Sequence, residues 1–432
     1  MDWLNLLILV IQAFVITLAV TTAFAYLTLF ERRLLARFQN RVGPNRAGPG
    51  GFLQPVADAV KLFFKEDVVP TAADKPVYLL APALAVIPAI IIWAVIPFGC
   101  LNLNWDYRAC FADPQTSNVR NILQIAEINV GVLYLFAVTG IGVYGITLAG
   151  WASNNKYSML GGIRSSAQLI SYELALSCAV LGVVMTYSSL STAQIVYQQG
   201  GLWGIVPQFL GFVLFMIAST AEVVRAPFDL VEAEQELVGG YNTEYGSMKF
   251  ALFFMTEYIK LIAISAIAVT FFFGGWRFPG LQTLGRGMED LAGPVVASLV
   301  VGLVSLGAFL LKLVAFLFVS VWIRASWPRL RYDRLMTLGW KWLLPLGLIN
   351  LVYTAVTFVI VPDQRLASFI LLALSLLTLA VAVGFSSVPR PVDNVTYVKD
   401  LRQGSMVPPA PAETGESQPA ATSPRQPVSS RG

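Results

Sequence analysis

The chain has 432 residues and a formal net charge of +4; 56% of its residues are hydrophobic, 12% are charged, and the mean hydropathy is +0.68. Because a globular domain carries about 25% charged residues, this composition excludes an ordinary soluble enzyme. Histidine is absent and the three cysteines are widely spaced. These two facts exclude a histidine-ligated zinc or haem and a four-thiolate iron–sulfur cluster within the chain, so any redox cofactor is expected in another subunit.

Uncharged or nearly uncharged runs predict an all-α, polytopic transmembrane helical bundle of about nine spans. A membrane-spanning helix needs roughly 20 apolar residues, and most of the runs meet that length. The first run is predicted to remain as a span, because it lacks the basic segment that precedes the apolar part of a signal peptide. The runs lie at 3–30, 77–99, 122–150, 167–187, 203–224, 248–275, 294–323, 340–361 and 366–387.

The lysines and arginines predict the orientation of the bundle in a bacterial inner membrane. With the amino terminus outside, the predicted inner segments hold 21 of the 29 basic residues, the outer segments hold five and the runs hold three. Cytoplasmic loops of membrane proteins carry this kind of excess. The amino terminus is therefore expected outside and the carboxyl terminus in the cytoplasm. The same distribution is typical of contact with membrane lipids rather than with nucleic acid.

The first inner segment contains a predicted amphipathic helix. Gly and Pro residues at 43–51 make a turn-rich stretch, and Pro55 suits the first turn of the helix that follows. The polar residues Gln54, Asp58, Lys61 and Lys65 recur at helical spacing among apolar ones. Such a helix lies in the membrane interface, where it either covers an entrance for an apolar ligand or only anchors the chain.

Cys100 and Cys110 share the first outer loop. A disulfide between them is allowed if that side is an oxidising periplasm, and two free thiols are the alternative. The spacing of the two residues does not decide between these states.

Several charged residues lie within or at the edges of the apolar runs. A charge inside a span costs about 2.5–3.5 kcal/mol on insertion scales and usually faces a cavity or a partner. The acidic members are Glu127, Glu173, Glu222 and Glu257, and the candidate counter-charges are Lys260 and Lys312. Together they favour an ion or proton path; the alternative is that each glutamate merely pairs with a basic residue between helices.

The inner segment 225–247 is acidic where basic residues are expected. Glu232, Glu234 and Glu236 alternate, so an extended segment would point them the same way. Neighbouring like charges raise some carboxylate pKa values, which lets the carboxylates exchange protons near physiological pH. The segment is either a proton store or a solvated acidic loop.

Two further segments complete the inner side. Residues 322–334 carry four arginines, which suit either lipid headgroups or an acidic partner surface. Residues 388–432 are rich in Pro, Ser, Gln and Thr and are expected to form a disordered cytoplasmic tail after a membrane domain at 1–387.

Taken together, these stretches resemble one family, a membrane subunit of the proton-pumping NADH–quinone oxidoreductase, or respiratory complex I. This family comprises the bacterial H subunit and its mitochondrial counterpart, subunit 1. The resemblance runs in order over about residues 30–345. The matching strings lie at 31–33, 41–45, 53–63, 150–154, 170–173, 225–230, 236–238, 250–258, 322–324 and 328–333.

The resemblance implies a subunit of a redox-driven translocase that has no complete active site of its own. It would form much of a tunnel for its substrate quinone, ubiquinone or menaquinone, and couple quinone reduction to proton translocation. FMN and iron–sulfur clusters would belong to partner subunits, with no metal and no catalytic nucleophile in this chain. Its partners would be the iron–sulfur peripheral arm and other membrane subunits, including antiporter-like ones.

The resemblance also implies roles for individual residues. Matched to the family's motifs, the quinone-tunnel residues are Arg32, Arg41, Asp58, Lys61, Arg225 and Phe228. The proton-coupling residues are Glu31, Glu173, Glu222, Asp229, Glu232, Glu234, Glu236, Glu244 and Glu257, with Glu127 nearby. Quinone reduction would rearrange the acidic loop, and the buried carboxylates would relay the change.

Two features depart from the family pattern, and other functions stay open. Many relatives end after eight spans, whereas this chain continues with a ninth run and a long tail, and its 100–120 loop is a local elaboration. The nearest alternative is the same subunit in a ferredoxin-dependent or hydrogenase-type complex. A free-standing ion-coupled transporter and a purely structural scaffold are the others.

Overall fold

The computed structural model describes residues 3–102, 105–114, 121–229 and 237–387. Within these ranges the chain is helical, with short loops and one isolated β-bridge between Asn102 and Asn121. The helices are α1 (Trp3–Phe38), α2 (Gln54–Phe64), α3 (Lys75–Ile91), α4 (Gly131–Ala152), α5 (Lys156–Tyr187), α6 (Thr192–Gln198), α7 (Phe209–Glu222), α8 (Ser247–Phe272), α9 (Leu281–Ala292), α10 (Pro294–Ser326), α11 (Tyr332–Leu338), α12 (Leu344–Ile360) and α13 (Gln364–Ser387).

Eight helical segments in the described ranges are long and apolar enough to cross a membrane, which confirms the predicted all-α transmembrane bundle. In one of them α11 and α12 join through a π-helical turn into a continuous segment, Tyr332–Ile360. The fifth predicted run differs, because α7 has only 14 residues and is about 21 Å long. Gly204 and Pro207 explain the late start of α7, since proline lacks the amide hydrogen that a helix interior uses.

The predicted amphipathic helix is present as α2, with Pro55 in its first turn. Its carboxyl end is fixed to the start of α8, where the hydroxyl of Ser247 donates to the carbonyls of Leu62 at 2.9 Å and Lys65 at 3.0 Å. The side of α2 that carries Phe63 and Phe64 is exposed. This arrangement holds α2 across the ends of α1 and α8.

The opposite face of the bundle contains a helix, α9, that the sequence did not predict. Glu289 on α9 accepts hydrogen bonds from the Tyr107 hydroxyl at 2.8 Å and from the Arg108 guanidinium at 2.8 and 3.0 Å. These hydrogen bonds, aided by the positive charge of Arg108, lower the pKa of Glu289. On the same loop Cys100 and Cys110 form a disulfide, which resolves the open alternative.

Close packing of α4 depends on its glycines. The extensive contact between α3 and α4 includes Gly145, where an added methyl group would lie 2.6 Å from the backbone nitrogen of Ala85. Small residues let membrane helices approach each other in this way, because there is no water to drive their association. The glycine therefore sets the distance between two spans that help to enclose the charged interior.

Replacing Gly145 with valine is expected to separate α3 from α4 and to lower the amount of folded chain in the membrane. Overpacking of this kind costs about 1–3 kcal/mol or more. The matched control is Gly307→Val on α10, where an added methyl group meets no atom within 4 Å. Thermal denaturation of the two purified variants would test this. Equal stability of both variants would contradict the proposed contact.

Contacts divide the chain into two compact units, Met1–Ala380 and Val381–Gly432. The first contains α1 to α12 and most of α13. The second is described only as far as the end of α13. The predicted tail at 388–432 lies outside the described residues.

Candidate functional site

A cavity of about 530 Å³ opens between α1, α2 and the first half of α8. Its walls are mainly apolar and include Phe24, Phe63 and Phe254. Three of the predicted quinone-binding residues line it, namely Arg32, Asp58 and Lys61. The cavity therefore combines a hydrophobic interior with a polar edge, which suits a molecule with a long apolar part and a polar head.

The polar edge is held by α1 and α2 together. Arg32 donates to Asp58 Oδ2 at 2.7 Å, and the Gln54 amide donates to Asp58 Oδ1 at 3.1 Å. The side chains of Arg32 and Asp58 are 47% and 30% exposed. Exposed ion pairs contribute little to stability, so this pair has only a small effect on the fold and leaves two charged groups at the cavity edge.

A buried ion cluster lies near the cavity, at the end of α1. The Glu31 side chain is 3% exposed; its Oε2 accepts a hydrogen bond from Arg225 at 2.8 Å, and its Oε1 pairs with Arg324. Burial opposes the charge of Arg225, but the carboxylate of Glu31 raises its pKa above the ordinary arginine value. One carboxylate thus joins α1, the segment after α7 and the end of α10.

The turn that carries Arg225 is fixed by the neighbouring helices. The Gln168 amide donates to the carbonyls of Ala221 at 2.8 Å and Phe228 at 3.0 Å. The Phe228 ring is buried 5.9 Å from the ring of Tyr172 on α5. A peptide hydrogen bond from Leu330 to the carbonyl of Pro227 adds a third attachment. Phe228 therefore supports the turn rather than lining the described cavity.

Tyr258 connects the cavity wall to the ion cluster. Its ring lies 5.8 Å from Phe24 and 4.7 Å from Phe254, both of which line the cavity. The Arg225 guanidinium lies 3.8 Å above the same ring, and Tyr258 interacts with Glu31 as well. An occupant of the cavity would thus be separated from the buried charges by aromatic rings.

Further along α8 the buried charges continue around Lys260. The Lys260 residue is 8% exposed and lies within electrostatic reach of Glu173, Glu222 and Glu257. An added methyl group at Gly142 would lie 3.2 Å from its Nζ, so α4 leaves room for the lysine. The acids therefore come from α5, α7 and α8 and share one cation.

Glu257 lies between the two groups of charges. It lies within electrostatic reach of both Arg225 and Lys260. The Tyr241 hydroxyl donates to Glu257 Oε1 at 3.4 Å. A series of charged side chains therefore leads from Glu31, beside the cavity, to Glu173 and Glu222 in the bundle.

Lys312 does not join this series, so its predicted role as a counter-charge for the glutamates is wrong. Its ammonium group donates to the carbonyls of Phe273, Gly275 and Arg277 at 2.8, 2.9 and 2.7 Å. These carbonyls follow the carboxyl end of α8. A lysine at this place satisfies buried loop carbonyls and lies at the negative end of the helix dipole, which is a structural role.

The structure places the remaining predicted residues apart from the series. Glu127 is exposed in the loop before α4 and lines a small pocket with Cys100 and Cys110 at the other face of the bundle. Helix α4 begins after this loop, at Gly131, and the residue that faces Glu173 is Gly140, about 14 Å further along the helix axis. Glu127 therefore lies far from the other acids, although the sequence places it at the edge of an apolar run.

Two other residues have local partners. Glu244 accepts a hydrogen bond from the Asn155 amide at 2.7 Å, while its carbonyl accepts one from the Tyr78 hydroxyl at 2.7 Å. Arg41 is exposed beyond the end of α1 and donates to Gln39 at 2.8 Å.

Part of the predicted coupling loop lies outside the described residues, including Glu232, Glu234 and Glu236. Asp229 stands at the edge of the described part, where its Oδ1 is buried and accepts no hydrogen bond from the described chain. The same holds for Oε2 of Glu222. A buried carboxylate oxygen without a hydrogen-bond donor costs free energy, so each of these atoms has room for a further polar partner.

Sequence reasoning did not assign roles to Tyr258 and Tyr241. It matched Arg324 to lipid headgroups or an acidic partner surface, whereas the structure pairs it with Glu31. Tyr258 follows Glu257 directly, and Arg324 ends an apolar run, so both stand beside charged or membrane-embedded positions. Their function depends on contacts between distant helices, which the spacing of residues cannot reveal.

Comparison with known proteins gives one family. A family model described as NADH dehydrogenase matches residues 11–355. The H subunit of the NADH-quinone oxidoreductase of Deinococcus deserti is 50% identical over 357 residues, which cover 82% of this chain and 85% of that protein. The H subunit of the Deinococcus radiodurans enzyme is 46% identical over 398 residues, which cover 90% and 94% of the two chains. That of Rhodospirillum rubrum is 46% identical over 360 residues, which cover 82% and 96%.

Proposed function

The chain belongs to the NADH dehydrogenase family, together with the H subunits of NADH-quinone oxidoreductases, and from this premise we propose that it couples quinone reduction to proton translocation in such a complex. The observation that carries the proposal is the position of the apolar cavity beside a series of buried charges. The cavity would admit quinone from the membrane, and the charges would respond to its reduction.

The cavity supports a binding role for this chain. Its aromatic and aliphatic walls suit an isoprenoid tail, and Arg32, Asp58 and Lys61 at its edge suit the polar carbonyl groups of a quinone head. Because α2 lies across the ends of two spanning helices, quinone would enter sideways from the bilayer beneath it. The head would then continue toward partner subunits, which hold the electron donors.

The buried charges support a coupling role. Reduction of a quinone to a quinol consumes two electrons and two protons, so it changes the charge or the proton content near the inner end of the cavity. Glu31, Arg225 and Tyr258 would respond to that change first, because they are the charged and aromatic groups nearest to the cavity wall. Glu257, Lys260 and the acids around them would carry it into the bundle, and the acidic loop that contains Glu234 would move with it.

Partners and orientation are part of the same proposal. The chain would dock to an iron–sulfur peripheral arm on the face that carries α2 and to antiporter-like subunits in the membrane, with FMN and the clusters held by partners. That face would be cytoplasmic, in keeping with the excess of lysine and arginine in its loops.

Filling the cavity tests the binding role. Ala59→Trp on α2 places a large ring in the cavity, whereas Ala57→Trp adds the same ring to an exposed position that does not line it. We expect Ala59→Trp to lower kcat/KM for a long-tailed quinone about tenfold, or about 1.4 kcal/mol. Electron transfer from NADH to a soluble artificial acceptor should stay unchanged. An equal loss in both variants would contradict the assignment of this cavity to quinone.

Gentle extraction and mass spectrometry of the co-purifying chains test the choice of complex. Recovery of iron–sulfur, antiporter-like and flavin-bearing NADH subunits is the expected result. Recovery of the first two without the flavin subunit would favour a ferredoxin-dependent relative. A stable chain recovered alone would favour a free-standing transporter and overturn the proposal.

A further inference from the structure

A second cavity, of about 460 Å³, lies on the same face of α1 but in the other half of the bundle. It is bounded by α1, the second half of α8, α10 and the loop around Ile122. Gln12 and Trp93 carry the polar side-chain atoms among its lining residues. The Gln12 amide already donates to the carbonyl of Ile122 at 3.0 Å, whereas the buried indole nitrogen of Trp93 has no hydrogen-bond partner among the described residues. No charged side chain of the described residues lines it. We refer to this cavity as the α1–α10 groove.

The groove opens sideways, toward the surroundings of the bundle. Residues at its edge are largely exposed, with Ile11 at 52%, Val15 at 54% and Leu310 at 45%. These residues lie on helices long and apolar enough to cross a membrane. In a bilayer, such a surface lies against the hydrocarbon of the lipids wherever no partner subunit covers it.

The depth of the groove matches one leaflet. Along α1 it runs from Ile11 to Ala23, which is about 18 Å at the rise of an α-helix. Half of the hydrocarbon core of a bilayer is about 15 Å thick. A single acyl chain that enters from one leaflet therefore fits the length of the groove.

The outer half of α1 has little other support. Among its described side chains between Leu6 and Val20, only Gln12 and Val20 are buried. By contrast, the other end of α1 is fixed by the pairing of Glu31 with Arg225 and Arg324. If the groove is empty, its lining side chains lose van der Waals contacts. An acyl chain that fills the groove would restore these contacts and hold α1 against α10.

The groove is separate from the quinone cavity. On α1 the groove ends at Ala23 and the quinone cavity begins at Phe24, and the two cavities share no lining residue. The Phe24 ring packs against Phe254 and Tyr258. This aromatic contact closes the face of α1 between the two spaces.

We propose that the α1–α10 groove binds one acyl chain of a membrane phospholipid from the leaflet opposite to α2. The bound phospholipid acts as a structural lipid, because its acyl chain attaches the outer half of α1 to the bundle. The assignment follows from apolar lining, sideways opening and leaflet depth, and it does not depend on the proposed coupling function.

Photolabelling of the full-length chain in its membrane tests the proposal. Membranes would be loaded with a phosphatidylglycerol that carries a diazirine in the middle of one acyl chain, and mild detergent would remove loosely bound lipid before illumination. Labels are expected at Val15, Ala19 and Leu310, which line the groove, in clear excess over Leu303 and Leu311. The last two are 68% and 74% exposed on α10 and lie outside the groove.

A pair of adjacent variants supplies the control. Ala19→Trp places a ring in the groove, whereas Leu18→Trp adds the same ring to a neighbouring exposed position that does not line it. The label in the groove should fall several-fold in Ala19→Trp and persist in Leu18→Trp.

Three results would overturn the proposal, and the first two need only the unaltered chain. One is uniform labelling over the exposed surface of α10. The second is loss of the label on addition of a long-tailed quinone, which would assign the groove to the quinone tail. The third is equal labelling of the two variants.

Discussion

Replacing Glu31 with glutamine is expected to cost about 3–5 kcal/mol of stability and to abolish most coupled quinone reduction, because a buried ion pair is broken from one side. Glutamine keeps the shape of the side chain but leaves Arg225, whose side chain is 10% exposed, without its carboxylate. Arg324 loses the same partner. The guanidinium groups of Arg225 and Arg324 would then repel each other without the carboxylate between them.

The double variant Glu31→Gln with Arg225→Met provides the internal test. Because the second change removes the buried charge that the first one leaves unpaired, it should restore part of the lost stability. Thermal denaturation of the purified protein measures stability, and NADH-driven quinone reduction in vesicles measures function.

Asp333→Asn is the matched control for Glu31→Gln. It also breaks an ion pair, that of Asp333 with Arg331, but these side chains are 74% and 81% exposed. Its effect should stay within about 1 kcal/mol. Wild-type stability and turnover in Glu31→Gln would remove the ion cluster from the coupling mechanism.

Replacing Lys260 with methionine is expected to uncouple proton translocation from electron transfer. Three acidic side chains share this lysine, and a charge inside a membrane protein needs a partner or water. Without the ammonium group the three acids would lose the cation that connects them. The ratio of protons translocated to quinone reduced should fall about tenfold, while quinone still binds.

Lys312→Met separates this effect from a general loss of stability. It removes another lysine from a spanning helix, but one whose partners are three backbone carbonyls. The chain should become less stable, with an unchanged ratio of protons to quinone in the protein that remains folded. Equal loss of the ratio in both lysine variants would contradict the role of Lys260. Proton uptake by vesicles, measured beside quinone reduction, distinguishes these outcomes.

Hydropathy was sufficient to predict eight of the nine expected spanning helices in the described ranges, because a backbone in lipid must satisfy its own hydrogen bonds and forms helices wherever the side chains are apolar. It failed at α7, where the run of apolar residues includes Pro207 and the helix starts only at Phe209. It also missed α9, which is too polar to be read as a span and is held by the contact of Glu289 with Tyr107 and Arg108.

Most of the buried charged residues could be predicted from the sequence, but the contacts between them could not. The free-energy cost of a charge inside the membrane was enough to select Glu173, Glu222 and Glu257 as candidates. The structure places all three within electrostatic reach of Lys260. The same argument marked Glu127, which lies in an exposed loop at the other face. Hydropathy gives the approximate depth of a residue, whereas only the packing of helices decides which side chains meet. For the same reason, the sequence could not show that Tyr258 lies between the cavity wall and the ion cluster.

The disulfide between Cys100 and Cys110 bears on how the chain is inserted into its membrane. Disulfides persist in oxidising compartments, and the cytosol keeps thiols reduced. The loop that carries these cysteines would therefore face the periplasm. Helix α3 separates that loop from α2, so α2 would face the cytosol. Thiol chemistry and the distribution of basic residues are independent properties of the sequence, and both favour the same sidedness for the quinone entrance.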